Sequence, residues 1–392
     1  MAKSRIGLDI GSTAVRAAEL TLGDTPSVLR VAQVPLPVGA VDNGEIRDPD
    51  AVSQALRQLW DSGGFKSRQV WMGVGNQRVV VREVALPYLP EKELRASLGF
   101  QVQEYIPMSV EDAVLDFDPV EEFEADGRKM QRILLVASQR TMVDVVVKAA
   151  LGAKLEPMGL DLVPFALVRA IGSSDAGMDL EDQGDEAIID IGAHVTNIVV
   201  HLRGRTRFVR ILPSGGRDVT LAIARALGVD DEVAETLKRG EESPLARLAP
   251  PVRPDPGPGD APEDRSAAAP GNAPETPGDN GGEQPQAAPG PDQVRQIALQ
   301  RAATFVDEIR SSLEFYTAQS HGTRISRVLV SGGGSKLHGF LDLLGQRIPV
   351  PVEAGRVFQH VQSQLPLSEE VQTEAEPVLA VAVGLAIPGG HS

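Results

Sequence analysis

The sequence has no cysteine, so it can form neither a disulfide framework nor a thiolate metal site or nucleophile. Its six histidines show no metal-ligand spacing, and aromatic residues make up only 4% of the chain. No apolar run approaches the ~18 residues of a membrane span, and the nearest, residues 378–387, is far too short. The 42% apolar content over 392 residues is nevertheless that of a globular protein, with about two to four domains.

Positive charge is also scarce. The chain carries 38 Lys and Arg against 54 Asp and Glu, a net charge of −16. Nucleic-acid binding needs a basic surface and anionic lipid attracts basic segments, so the charge disfavours both as direct partners. Residues 1–5 look like the start of a signal peptide, but Asp9 interrupts the following apolar stretch too soon. We therefore expect a cytoplasmic protein.

One tripeptide, Asp-Ile-Gly, occurs twice, at residues 9–11 and at residues 190–192. Each copy follows an apolar strand and precedes a second strand, so the repeat predicts two similar strand-turn-strand units. Glycine lets a turn approach a ligand closely, successive N–H groups attract anions, and a neighbouring aspartate can hold Mg²⁺. A single copy is better explained as an ordinary hairpin. Two copies indicate a clamp around the phosphates of a nucleotide.

A third motif extends this interpretation. Residues 328–334 form an apolar strand that runs into three glycines, and a helix follows. The segment resembles the adenosine-binding turn of the actin, Hsp70 and sugar-kinase superfamily, whose two phosphate motifs are similar to the two Asp-Ile-Gly units. No Walker-type Gly-x4-Gly-Lys-Ser/Thr run occurs, so a P-loop is not the competing interpretation. The resemblance implies an α/β, actin-like fold of two lobes built on duplicated RNase H-like cores.

The chain also carries two insertions. Residues 77–156 have the order β-α-β-β-α-β, which is typical of a ferredoxin-like module. Residues 250–291 are dominated by Pro, Gly, Ala and acidic residues, and we expect this loop to be disordered because it cannot bury enough apolar surface. The remaining segments are assigned to the lobes: 1–76 and 157–184 to the first, 185–249 and 292–392 to the second. Residues 292–319 are predicted to form a long amphipathic helix, because apolar residues fall near helical spacing at Ile297, Phe305, Ile309, Leu313 and Tyr316.

The resemblance implies a Mg-ATP site between the lobes. Asp9 and Asp190 would hold Mg²⁺, and the backbone N–H groups of residues 11–13 would meet the terminal phosphates. Arg16 is either a basic phosphate contact or a solvated strand residue. The expected cofactor-binding residues are Gly11, Ser12, Thr13, Arg16, Gly192, Thr196, Gly215, Gly216, Glu235, Lys238, Gly332, Gly333, Gly334 and Lys336.

Two pairs of these residues lie on predicted helices. Gly215 and Gly216 open a helix whose N-terminus is a suitable anion site. Glu235 and Lys238 share one helical face, where they either hold the ribose and flank the adenine or form a surface ion pair. His194, in the second turn, is expected to have no special role.

Hydrolysis needs a group that orients water in line with the γ-phosphate. The superfamily places this group at the start of the helix before the second phosphate motif, and Asp161 occupies that position here. Aspartate is short for the task, and it equally suits a helix cap. Slow hydrolysis and nucleotide binding with little turnover therefore both remain open.

Within the superfamily, the chain resembles the PilM family of cytoplasmic, actin-like type IV pilus assembly proteins. The resemblance rests on the opening GLDIGSTAVRAAEL, the Leu-Pro-Tyr-Leu-Pro block at 86–90, the Tyr-Ile-Pro block at 105–107 and the apolar segment at 377–386. It covers most of the chain except 250–291. The related cell-division protein FtsA carries a C-terminal amphipathic membrane helix, and we expect none after Ile387.

The resemblance implies an adaptor at the inner face of the cytoplasmic membrane. PilM-family members bind the N-terminal cytoplasmic peptide of the membrane protein PilN, which connects the PilN–PilO platform to assembly motor ATPases. Apolar residues of the inserted module are candidates for the peptide groove, including Leu86, Phe100 and Tyr105. Two alternatives remain: a polymer-forming, FtsA-like division protein and a small-molecule kinase of the same superfamily.

Overall fold

The structure is a computed structural model that describes residues 4–23, 25–173, 184–240, 290–320 and 323–389. Most of the predicted disordered insertion at 250–291 lies outside these residues. The strands, numbered along the chain, are β1 (Ser4–Ile10), β2 (Ala14–Thr21), β3 (Ser27–Pro35), β4 (Val41–Asp42), β5 (Glu45–Ile46), β6 (Gln69–Val74), β7 (Val80–Pro87), β8 (Ala113–Ala125), β9 (Arg128–Gln139), β10 (Glu156–Leu162), β11 (Asp185–Ile191), β12 (Thr196–Leu202), β13 (Arg205–Leu212), β14 (Ile325–Ser331), β15 (Val352–Ala354) and β16 (Gln362–Ser363).

The α-helices of the described residues fill the spaces around these strands. They are α1 (Pro49–Gly63), α2 (Glu91–Val102), α3 (Arg140–Gly152), α4 (Val163–Ile171), α5 (Gly216–Leu227), α6 (Asp231–Arg239), α7 (Pro291–Gln319), α8 (Phe340–Arg347) and α9 (Glu369–Ala386). The long helix predicted over 292–319 is confirmed as α7, with nine buried side chains along its length.

Two sheets repeat one arrangement of strands. The first has the order β10-β6-β1-β2-β3-β16, and the second has the order β13-β12-β11-β14-β15. In each sheet an antiparallel hairpin, β1–β2 or β11–β12, is extended on one side by an antiparallel strand and on the other by a parallel strand. The repeat predicted from the Asp-Ile-Gly tripeptides thus extends to five strands of each sheet, and β16 is an additional strand at the edge of the first.

Helices α4 and α9 lie between the two sheets. Their apolar side chains share one core cluster with residues of both sheets, such as Leu20 and Leu329. Close approach requires glycine at two contacts. A Cβ on Gly7 would lie 2.0 Å from the carbonyl oxygen of Ala382, and one on Gly384 would lie 1.9 Å from that of Ala166. The lobes are therefore joined through a tightly packed helix pair.

Helix α1 illustrates how local signals fix an element of the first lobe. The Asp48 side chain accepts hydrogen bonds from the N–H groups of Asp50 and Ala51, Pro49 occupies the first turn, and Gly64 ends the helix at φ 68°. The buried face includes Leu56 and packs into the core beneath the sheet.

The inserted module is smaller than predicted. Its sheet contains three antiparallel strands in the order β7-β9-β8, and α2 shares a separate apolar cluster with them. The last helix and the last strand of the predicted ferredoxin-like pattern belong to the first lobe instead, because α3 buries Met142 and Val146 in the first-lobe core and β10 pairs with β6. The module therefore ends near residue 139.

Candidate functional site

The two hairpins present their aspartates in the same way. Asp9 lies directly opposite Arg16 across β1 and β2, and Asp190 lies directly opposite Asn197 across β11 and β12. The turns also match, because the N–H of each turn glycine donates to the carbonyl three residues later, at 3.1 Å in the first hairpin and 2.9 Å in the second. The duplicated sequence therefore places two carboxylates at equivalent points of two sheets.

The two carboxylates are largely buried and interact electrostatically. Burial raises the pKa of Asp9, and the neighbouring Arg16 opposes this rise. Burial and then the negative charge of Asp9 raise the pKa of Asp190 to about 7, against weaker effects of Asn197 and Arg16. Because Asp9 acts on Asp190 electrostatically, the pair resists full ionisation unless a cation enters.

Arg16 balances the first carboxylate. Its Nη1 lies 3.4 Å from Asp9 Oδ2, and its Nε donates to Gln33 Oε1 at 3.0 Å. The side chains of Arg16 and Asp9 are each only 15% exposed, so Arg16 is not a solvated strand residue. Its position leaves the guanidinium at the mouth of the first turn.

Several groups predicted to contact phosphate donate hydrogen bonds within the protein. The N–H groups of Gly11 and Gly192 close their own turns, and a phosphate contact by Gly11 stays a prediction. Ser12 and Thr13 follow Gly11, with Ser12 half-buried and Thr13 exposed. Thr196 is fully buried, and its hydroxyl donates to the Ser214 carbonyl at 2.9 Å. Its role is therefore to hold the second hairpin against the following loop.

The glycines that open α5 serve a similar packing role. The N–H of Gly216 donates to the carbonyl of Gly192 at 2.9 Å, and the N–H of Gly215 donates to Asp218 Oδ2 at 2.9 Å. A Cβ on Gly215 would lie 2.5 Å from the Gly192 oxygen. Gly215 and Gly216 thus dock the helix N-terminus onto the second turn, and the anion contact expected of these residues stays a prediction.

Glu235 and Lys238 form the ion pair that was one of the two interpretations of their spacing. Lys238 Nζ lies 2.6 Å from Glu235 Oε2, and it also donates to Thr220 Oγ1 at 2.8 Å and to the Gly216 carbonyl at 3.0 Å. Burial acts to raise the pKa of Glu235, but Lys238 and the hydrogen-bonding hydroxyl of Thr220 lower it to about 2. The pair fixes α6 against the start of α5, and its predicted contact with a ribose stays a prediction.

The third motif packs against the second turn. Gly332 has φ +84°, and a Cβ there would lie 2.4 Å from the Ile191 oxygen; one on Gly334 would lie 2.3 Å from Ile191 Cγ2. Gly333 has no such constraint, since its nearest neighbour would be Val378 Cγ1 at 3.7 Å. Two of the three glycines are thus required by the approach to Ile191.

Lys336 ends the same motif and connects it electrostatically to the rest of the cleft. Burial lowers the pKa of Lys336, Glu374 opposes this, and the charges of Arg239 and Arg16 lower it further. Arg16 belongs to the first hairpin and Arg239 to the end of α6. Charged groups of the first hairpin and of the end of α6, which are far apart in sequence, thus both act electrostatically on Lys336.

Asp161 differs most from its expected role. It lies on strand β10, opposite Gly73, and not at the start of a helix. Its carboxylate accepts hydrogen bonds from the Leu162 N–H at 2.7 Å and from the Arg169 guanidinium. Because both carboxylate oxygens are engaged, the assignment of Asp161 as the group that orients water is not supported by its contacts.

Sequence reasoning missed two residues of the second hairpin. Asn197 donates from Nδ2 to Asp190 Oδ2 at 3.4 Å, and aligning the two repeats would have marked it as the counterpart of Arg16. His194 is not a simple turn residue, because its Nδ1 lies 3.0 Å from Asp42 Oδ1 and 3.3 Å from the Asn43 backbone N. These contacts join the second turn to the β4–β5 hairpin of the first lobe.

No helix in the described parts of the chain has the length and apolarity needed to cross a membrane. Among curated proteins, the chain is 26% identical over 259 residues to the cell division protein FtsA of Bacillus subtilis (strain 168), covering 60% of this chain and 57% of that protein. It is 24% identical over 252 residues to FtsA of Neisseria meningitidis serogroup B, covering 59% of each. The chain thus matches less than two thirds of the length of these relatives.

Among solved structures, the PilM-PilN type IV pilus biogenesis complex matches over 97% of both chains, with 27% identity and a TM-score of 0.73. The ethanolamine utilization protein EutJ of Carboxydothermus hydrogenoformans shares the fold, with 15% identity, a TM-score of 0.53 and coverage of 99% of this chain and 91% of that one. The predicted α/β, actin-like fold is confirmed by these similarities.

Two family profiles match the sequence. The FtsA cell division protein profile matches residues 187–384, the second lobe. The profile described as type IV pilus assembly protein PilM matches residues 7–247, which include the first hairpin, the inserted module and the second hairpin. Because this match covers more than half of the chain and agrees with the structural similarity, the chain belongs to the PilM family of type IV pilus assembly proteins.

Proposed function

We propose that this protein is a nucleotide-binding adaptor of type IV pilus assembly that binds the N-terminal cytoplasmic peptide of a PilN-type membrane protein. The observation that carries the proposal is the match over 97% of both chains to the PilM-PilN complex. The inserted module, which belongs to the segment matched by the PilM profile, supplies a second surface beside the first lobe. An adaptor of this kind acts in the cytoplasm and reaches the membrane platform, PilN–PilO, and the assembly motors through its partners.

The module contains both core and surface candidates for peptide contact. Leu86 is buried in the module core, whereas Phe100 is 84% exposed on α2 and Tyr105 is partly exposed just after it. An extended peptide held by backbone hydrogen bonds would need such exposed apolar side chains as pockets or anchors. Phe100 and Tyr105 are therefore better candidates than Leu86.

We assign ATP with Mg²⁺ to the cleft between the two hairpins. The donor set fits, because magnesium prefers oxygen ligands and is usually held by one or two carboxylates together with phosphates and waters. Asp9 and Asp190 supply the carboxylates; burial raises the pKa of both, and the negative charge of Asp9 adds to the rise for Asp190. When bound, the ion would neutralise charge on the phosphates.

The protein groups around the cleft would bind and orient the nucleotide. Asp190 would give up its proton as the cation enters, since an adjacent positive charge favours the carboxylate. Arg16 would keep Asp9 ionised and present a guanidinium beside the phosphates. Ser12 and Thr13 remain the turn residues able to donate to a phosphate, and Lys336 and Gly333 would approach the adenosine.

We expect binding with little turnover. The Asp161 carboxylate is occupied by Arg169 and by the Leu162 N–H, so it is poorly placed to orient an attacking water. Nucleotide would then act mainly by closing the lobes, a movement that an adaptor can use as a switch.

The test is fluorescence anisotropy of a labelled PilN-type N-terminal peptide titrated with the full chain, with and without Mg-ATP. A scrambled peptide of the same composition is the control. The variant F100A tests the candidate contact at Phe100, because this exposed side chain contributes little to the core. Saturable binding of the authentic peptide alone supports the adaptor. Equal binding of both peptides, or binding of neither, contradicts it.

The FtsA relatives support one second candidate, a protein that polymerises. The FtsA profile matches residues 187–384, and a lobe shared with a filament-forming relative could carry a longitudinal contact. Sedimentation of the chain with Mg-ATP distinguishes the two functions. ATP-dependent pelleting without peptide binding would favour the second candidate over the adaptor.

A further inference from the structure

One buried polar atom in the cleft has no protein partner. Asn197 is 5% exposed, and its Oδ1 accepts no hydrogen bond from any described residue. Buried polar atoms are nearly always paired with protein or with water. The unpaired oxygen is therefore a signal that something else occupies this position.

The orientation of the amide follows from its neighbours. Nδ2 faces Asp190 Oδ2 at 3.4 Å, and the reverse orientation would set two oxygens against each other whenever Asp190 is ionised. Oδ1 consequently points away from Asp190 and towards the first lobe, where it lies 3.2 Å from the position of a Cβ on Gly75. Gly75 follows β6, the strand beside β1. Asn197 thus reaches from one lobe to the edge of the other.

The two hairpins differ in charge at this position. In the first hairpin, Arg16 compensates the charge of Asp9. In the second, the equivalent residue is a neutral amide that orients Asp190 but leaves its charge uncompensated. Asp190 is therefore the carboxylate that has no cation opposite it, and the amide that orients it carries the unpaired acceptor oxygen on its other side.

We propose that Asn197 is a positioning residue for a hydrated divalent cation: Nδ2 orients Asp190, and Oδ1 accepts a hydrogen bond from a water of that cation between the lobes. This inference rests on the proposed nucleotide function of the cleft. A magnesium ion in a protein usually keeps several waters, and groups that hold the ligands of an ion affect its affinity about 10–100-fold. An acceptor without protons of its own suits this role, because metal-bound water can only donate.

The experiment measures Mg²⁺ dependence separately from nucleotide affinity. A fluorescent ATP analogue is bound to the full chain in EDTA, and Mg²⁺ is then titrated to find the midpoint of its effect. N197A should raise the Mg²⁺ midpoint about tenfold and change the affinity in EDTA by less than about twofold. N197D, of nearly the same shape, should lower the midpoint because it adds a carboxylate to the site.

S138A is the matched control, since Ser138 also carries a buried unpaired oxygen but lies on β9 of the module. It should leave the Mg²⁺ midpoint unchanged.

If wild type shows Mg²⁺-dependent binding but N197A has the same midpoint, the inference is wrong. If N197A binds the ATP analogue more weakly both in EDTA and with Mg²⁺, the inference is also wrong, because Asn197 would then have a purely structural role. If N197A does not fold, N197D is the test: a lower Mg²⁺ midpoint than wild type supports the inference, and an unchanged or higher midpoint contradicts it. Wild type that never responds to Mg²⁺ overturns the proposed function and the inference together.

Discussion

Arg16 and Asn197 occupy equivalent positions in the two hairpins, each directly opposite the aspartate of its own turn. One is a cation that pairs with Asp9, and the other is an amide that holds Asp190 without neutralising it. The duplicated scaffold therefore carries two different electrostatic environments. Because the residue opposite Asp190 is not a cation, burial and then the charge of Asp9 raise the pKa of Asp190, and this asymmetry underlies the first two predictions.

The stability of the protein should fall between about pH 4 and pH 7 through Asp190. Burial and Asp9 raise the pKa of Asp190 to about 7 in the folded state, so the folded chain holds this proton more tightly than the unfolded chain. The free energy of unfolding then decreases as pH rises through this window, by about 1.4 kcal/mol for each unit of difference. D190N removes the effect. Denaturant unfolding at pH 5 and pH 7.5 should therefore show a smaller loss for D190N than for wild type, and identical losses would contradict the assignment.

Arg16 should affect nucleotide and cation in opposite directions. R16A removes a positive charge beside the phosphates, so ATP binding in EDTA should weaken several-fold, on the order of 1 kcal/mol. The same change leaves Asp9 uncompensated, so Mg²⁺ should bind more tightly relative to wild type. R30A, which removes the arginine of the Arg30–Glu19 ion pair and whose own side chain is 39% exposed, serves as the control. Parallel weakening of both ligands by R16A would show that the arginine acts only on the fold.

The three glycines of the third motif should differ in their tolerance to substitution. G332A places a Cβ at φ +84° and 2.4 Å from the Ile191 oxygen, and we expect a loss of about 2–4 kcal/mol in the free energy of unfolding. G333A meets only Val378 Cγ1 at 3.7 Å and should change stability by less than about 1 kcal/mol. Thermal unfolding of the two variants measures the difference. Equal midpoints would mean that the turn is not held against Ile191.

The Glu235–Lys238 pair should stabilise the second lobe. E235A leaves the partly buried Lys238 ammonium without its carboxylate and should cost about 1–3 kcal/mol, whereas E232A on the exposed face of α6 should cost little. Because the pKa of Glu235 is lowered to about 2, its contribution is present above about pH 4.5 and is lost as pH falls towards 2. Urea unfolding at pH 7 and pH 3 tests both statements, and an E235A variant as stable as E232A would refute them.

The parts of the fold that follow from local sequence were predictable. The Asp-Ile-Gly repeats identified both hairpins, and the apolar spacing of 292–319 identified α7, because these signals depend on a few neighbouring residues. The extent of the module was not predictable in the same way. Helix α3 and strand β10 continue the pattern of the module, but Met142 packs in the first-lobe core and β10 pairs with β6, and neither fact is visible in the local pattern.

The candidate site was also predictable only where it depends on local sequence. The repeated tripeptide identified Asp9 and Asp190, but the sequence does not show that the N–H groups of Gly215 and Gly216 form hydrogen bonds that dock α5. Nor could it reveal that Arg169, reaching from α4, would occupy Asp161. These roles depend on residues brought together by tertiary packing. His194 likewise gains its contact with Asp42 only because the two lobes meet.

The most direct test of the central claim is calorimetric titration of ATP into wild type and D9A, each with Mg²⁺ and with EDTA. The account predicts that wild type binds ATP more tightly with Mg²⁺. It also predicts that D9A loses about tenfold or more of that affinity while its affinity in EDTA stays the same or improves. Equal Mg-ATP affinity of wild type and D9A would contradict the assignment of the two hairpins as the clamp for a magnesium nucleotide.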